Sequence, residues 1–215
     1  MGYKESAKQQ ATRRLMEERK FTWRLKRLFR RLINSLPKTE DPLEFVRELK
    51  KAANSKIFLK ECEKLAMSMT NFVAAGQYRT WREAAAASNK GRTIYQLLRK
   101  ETSKTAFIGR TVRDIVRSNA DLIKTCPLSM AQDLTDMIRE RVLEGERPET
   151  ILPEVMAKAR HLTDVQARRI ARTESSKANS ALREARARQY NRAFYIWWTC
   201  SDERVRSSHD YMHLL

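Results

Sequence analysis

TDVQARRIARTESSKANSALREARARQY, residues 163–190, contains neither Gly nor Pro, and it places small or apolar side chains at Ile170, Ala171, Ala178, Ala181, Leu182 and Ala185. Spacings of three and four predict one long helix with a buried stripe, narrow because Ala is small, so that a neighbour packs close. Thr163-Asp164-Val165-Gln166 reads as the capping box that opens it. Glu174 falls on the stripe, three residues after Ala171 and four before Ala178. A carboxylate there needs a partner, because an unpaired buried charge costs several kcal/mol. Arg168 and Arg172 are expected to point away from it, so the partner is expected from elsewhere in the chain.

Towards the N-terminus the sequence continues to read as helix, punctuated by few breakers. There are only five Gly and five Pro in 215 residues. Pro37 and Pro42, Pro127, and Pro148 with Pro153 are read as the main divisions. Asp41-Pro42-Leu43-Glu44 predicts a helix start, with an N-cap, Pro at N1 and an acid in the first turn. That helix is expected to end at Asn54-Ser55, and the next to run from about residue 57 to 75. Gly76 and the box Thr80-Trp81-Arg82-Glu83 predict a break and restart. Helices are expected over 92–102 and 105–125. Cys126-Pro127 ends the second, and Ser129-Met130-Ala131-Gln132 opens another that stops at Gly145. A short helix is expected over 148–160.

The first segment, residues 4–35, carries an apolar stripe at Phe21, Leu25, Leu28, Phe29, Leu32, Ile33 and Leu36. Residues 1–35 hold 11 basic against 3 acidic residues, nearly half of the chain's net charge of +18. A field of that sign attracts polyanions: nucleic acid, an anionic membrane surface or an acidic protein face. Arg13, Arg14, Arg24, Arg27, Arg30 and Arg31 are the candidate contacts. Their charge surrounds the stripe and does not oppose a broad apolar face, and Trp23 is the only membrane-belt residue. That pattern favours packing plus electrostatics over membrane insertion. DNA and an acidic partner stay equally open. No window approaches 18 uncharged apolar residues, so no membrane span is expected. The polar start Met1-Gly2-Tyr3-Lys4-Glu5 is not a secretory signal, and Ser6 gives only a chance match to the myristoylation pattern. Cys62, Cys126 and Cys200 are odd in number and lack framework spacing. The chain is expected to be made in the cytosol with reduced thiols, Cys62 and Cys126 being small buried residues.

Beyond residue 190 the texture changes. Ala193-Phe194-Tyr195-Ile196-Trp197-Trp198-Thr199 is aromatic and β-branched and predicts the one strand. Alternation sends Trp197 and Trp198 to opposite faces, one to a core and one to an interface. A polar turn follows, in which Asp202 can accept backbone N–H bonds, and Arg204 or Arg206 can offer a bidentate partner to Glu174 or Asp202. The fold class is therefore mainly α: a basic helical region over 1–117, then a small α+β module over 118–215 with one short strand or hairpin.

Arg172-Thr173-Glu174 on a long helix, with Asn179, then Trp198, Asp202, Arg206 and His209, resembles the signature of the phage head morphogenesis family. These are the minor head or minor capsid proteins of tailed bacteriophages. The stretch Asn119–Lys124 with Pro127, then Gly145 and the helix to Arg160, is similar in arrangement, so the resemblance covers about residues 118–213. It implies a structural virion protein made in the host cytoplasm. Such a protein associates with the portal or capsid interior and with packaged double-stranded DNA during assembly, packaging or ejection. No cofactor, metal or enzymatic activity is implied. His213-Leu214 stand where the family has an acid and a glycine, which implies a module truncated or closed by a different turn.

A second class is a DNA-processing enzyme with a metal on Glu174, Asp202 and His209, ligands of the right type. No paired-Asp or His-x-x-x-His spacing supports it. Cys200, His209 and His213 lack a fourth zinc ligand, and His161 reads as a linker residue. A third class, a DNA-binding regulator, lacks a helix-turn-helix.

Overall fold

A computed structural model describes residues 2–88, 91–101 and 106–191, and among them every regular element is an α-helix. The helices are α1 (Gly2–Asn34), α2 (Pro42–Ala53), α3 (Lys56–Ala87), α4 (Arg92–Lys100), α5 (Ala106–Leu143) and α6 (Pro148–Gln189). The strand expected over 193–199 lies outside the described residues. Several boundaries follow from caps. Asp41 accepts from the Leu43 N–H at 2.8 Å, with Pro42 at the first helical position, and Ser55 accepts from Phe58 N–H at 3.2 Å. Gly145, with φ +86°, ends α5. Its N–H donates to Val142 O and the Glu146 N–H to Arg141 O, at 3.0 and 3.1 Å, a paired closure that favours glycine.

Three expected breaks are absent. α3 runs through Gly76 and Thr80, with Gly76 lying mid-helix on the side of α1 and terminating nothing. A Cβ there would stand 2.9 Å from Glu17 Oε1 of α1. α5 runs through Pro127, which removes one helical hydrogen bond at a cost of about 3 kcal/mol. Burial of Ile123, Cys126, Met130, Ala131 and Leu134 around it offsets that loss. α6 runs through Thr163, which is buried and donates back to Ala159 O at 2.9 Å, so it caps nothing.

The four long helices form the body. α1 lies antiparallel to α3, with Arg13 beside Glu83 and Arg24 beside Ser68. It is also antiparallel to α6, with Lys26 and Arg30 on Asp164 at one end and Glu17 near Asn179 at the other. α5 and α6 make an antiparallel hairpin, pinned by Arg141 to Glu154 at 2.9 Å. One continuous apolar core draws on α1, α2, α3, α5 and α6, and α5 passes through residues 117 and 118 without interruption. Cys62 and Cys126 lie in that core, and burial pushes both thiols up to about 12. Cys200 lies outside the described residues.

Candidate functional site

Burying Phe21, Leu25, Phe29, Leu32 and Ile33 fixes which way α1 faces. At 100° per residue, Met16, Arg19, Trp23, Arg27 and Arg30 then form the ridge turned to solvent. The six arginines singled out in the sequence divide by what they touch. Arg13 reaches Glu83 at 3.4 Å, and Arg30 reaches Asp164 at 3.0 Å. Arg24 donates to Ser68 Oγ. Arg27 lies over the Trp23 ring, 5.3 Å from its centre, and Trp23 is 58% exposed. Arg14 and Arg31 are exposed and make no ion pair among the described residues. Arg27, Arg14 and Arg31 therefore stay available, and exposed Arg19 and Arg172 add to them.

Asp164, read in the sequence as part of a capping box, instead anchors α1. Burial pushes its carboxyl up, but hydrogen bonds and charge from Lys26 and Arg30 outweigh that and hold it below the usual range. Glu17 is the opposite case. Burial raises its carboxyl above the usual range, opposed only in part by Arg14, Arg79 and Arg13.

On α6 the motif residues separate by depth. Arg172 and Thr173 are exposed, whereas Glu174 is 4% exposed, as its register requires. Its partner among the described residues is Lys177 Nζ at 2.9 Å, one turn along the same helix and itself largely in solvent. The sequence did not single out Lys177. Asn179 accepts from Gln77 Nε2 at 2.8 Å and donates to Ser175 O at 2.9 Å, tying the motif helix to α3 beside Gly76. Trp198, Asp202, Arg204, Arg206 and His209 lie outside the described residues. No group of three or more metal-ligating side chains occurs among the described residues.

The strongest buried electrostatic feature was not anticipated. Arg186 Nη2 lies 2.8 Å from Glu101 Oε1 with both side chains buried, and Arg186 Nε also donates to that carboxylate. Nη2 further donates to Ala74 O at 3.3 Å, and Tyr190 OH donates to Glu101 Oε2 at 2.6 Å. Burial and the adjacent carboxylate raise the Tyr190 hydroxyl well above its ordinary value. The signal was present, since Arg186 follows Leu182 by four on the Ala stripe. A lone Glu101 after a short helix gave none.

Residues 132–214 match the model of the family described as Phage Mu protein F like protein. They take in the end of α5, all of α6 and the segment beyond. No curated protein and no solved structure gives a match. The family match bears out the resemblance to phage head morphogenesis proteins and points to a head-related protein. No described helix is long and apolar enough to cross a membrane.

Proposed function

We propose that this chain is a structural minor head protein of a tailed phage. It associates with the portal or capsid interior and holds packaged DNA without sequence preference. The observation that carries this reading, beside the family match, is the state of α1. Its apolar stripe is buried in the bundle, and the ridge it turns to solvent carries Arg19, Arg27 and Arg30 between exposed Met16 and Trp23. Long basic side chains on a rigid rod suit a repeating phosphate backbone and carry no base readout. A structural role, without catalysis, is supported at Glu174, whose carboxylate is buried against Lys177 and not open to a substrate.

The test is binding to duplex DNA across a salt series. Affinity should fall steeply with salt and be the same for unrelated sequences. Arg27→Gln with Arg31→Gln should flatten the slope. Salt-independent or sequence-selective binding contradicts the reading. A magnesium- or manganese-dependent DNA cleavage abolished by Asp202→Asn or His209→Ala would establish the enzyme alternative.

A further inference from the structure

Two surface features of this chain are complementary in shape and charge. The first is a groove between α1 and α3, floored by Met69 and Val73 with Phe72 at its edge, flanked by Lys20 and Arg24, and lined at one side by the largely buried Glu17. Phe72 is 40% exposed, with Lys20 Nζ 5.2 Å from the ring centre. This is an apolar slot with a cationic rim. The second is the tip of the α5–α6 hairpin. Leu143 there is 88% exposed and Val142 beside it 50% exposed. Residues 132–154 around them carry seven acidic against three basic residues, in a chain whose net charge is +18. Glu140, Glu144 and Glu149 are exposed. This is an apolar knob with an anionic rim.

The two cannot meet within one molecule. Ser175, which lines the groove, stands about 40 Å along α6 from Pro148 at 1.5 Å per residue. We infer that the occupant of the groove is the hairpin tip of a second copy of this chain, with Leu143 on Met69, Phe72 and Val73 and its carboxylates facing Lys20 and Arg24. Knob and groove are different patches, so the contact is heterologous and propagates head to tail, closing into a ring or extending as a filament according to the rotation between copies. Opposite charge around an apolar contact fixes register and speeds encounter. The inference does not rest on the DNA-holding reading, which uses the outer ridge of α1.

The experiment is sedimentation velocity of the full chain at low salt, with nucleic acid removed. Mass above the monomer should grow with concentration and collapse at high salt. Leu143→Lys and Phe72→Glu change exposed side chains, and each should weaken association at least tenfold while keeping the helical circular dichroism of the parent. Mixing the two variants restores one intact knob and one intact groove, so the mixture should form a one-to-one dimer that grows no further. A parent that stays monomeric up to its solubility limit overturns the inference. So does association untouched by Leu143→Lys, or a mixture that stays monomeric. Should Phe72→Glu lose its fold, Lys20→Glu takes its place, and its failure to weaken association counts equally against the contact.

Discussion

Replacing Glu101 by Gln should cost this protein a large part of its stability. The Arg186 and Glu101 side chains are 2% and 6% exposed, so neither charge is compensated by water. Glu101 takes three hydrogen bonds from Arg186 and one from Tyr190, and Arg186 Nη1 has no partner among the described residues. Glu101→Gln leaves the guanidinium buried with one backbone carbonyl and an amide in place of a carboxylate. Breaking one side of such a pair typically costs about 3–5 kcal/mol. Against a total of about 5–15 kcal/mol for a typical domain, that is enough to move the urea midpoint sharply downward. Tyr190→Phe should cost less, about 1.5–3 kcal/mol, since it removes one hydrogen bond to a charged group. Glu101→Gln with Arg186→Met should recover most of the loss, because replacing both charges removes the desolvation cost as well. Urea unfolding followed by circular dichroism reads all three. A loss below about 1 kcal/mol for Glu101→Gln, the range of an exposed pair, would refute the assignment of a buried, tightly coupled pair.

Other perturbations test the helix contacts. Because the Glu17 carboxyl is raised in the folded chain, its favourable contribution is full below the ordinary value of 4.5 and is lost as pH rises through the raised value. Glu17→Gln should therefore stabilise the protein near neutral pH and change little in acid; melting temperatures that shift equally at both pH values would contradict this. Asp164 is lowered, so its contribution is present above the ordinary value of 3.8 and lost as pH falls below it. Asp164→Asn should cost at most about 1 kcal/mol at neutral pH and nothing in strong acid. Gly76→Ala should be near neutral, since its Cβ meets only the end of the flexible Glu17 side chain and helix propensity improves by about 1 kcal/mol. Gly145→Ala should destabilise by about 1 kcal/mol, because φ +86° is strained for an L side chain; the reverse order of the two in a thermal melt would contradict both readings. Glu174→Gln and Arg206→Ala should be non-additive in a double-mutant cycle if the C-terminal arginine reaches the motif helix. Strict additivity would leave Lys177 as the pairing that matters.

What the sequence made legible was periodic, and what it concealed was non-local. The stripe Phe21, Leu25, Phe29, Leu32 and Ile33 is buried as its spacing requires, and Glu174 follows the register of the Ala stripe into the interior. Asp41 and Pro42 set a helix start that needs no tertiary information. Gly76, Pro127 and Thr163 misled because each is a local breaker signal overruled by packing. Gly76 sits mid-helix facing α1, Pro127 is held by buried neighbours, and Thr163 bonds back along its own helix. Arg186 gives little sign of burial by residue type, because arginine usually faces solvent, although its register places it inside. Nothing local to Glu101 or Gln77 foretells partners 85 and 102 residues away. The arginines of α1 were legible as a charge excess. Their division into paired Arg13 and Arg30 and available Arg14, Arg27 and Arg31 depends on where α3 and α6 present Glu83 and Asp164.

Purified phage particles test the head assignment most directly. Quantitative mass spectrometry of DNA-filled heads, treated with protease from outside before disruption, should recover this chain from the particles. It should be protected until the capsid is opened. Recovery only from the soluble fraction of the lysate, with none in intact heads, would contradict the assignment.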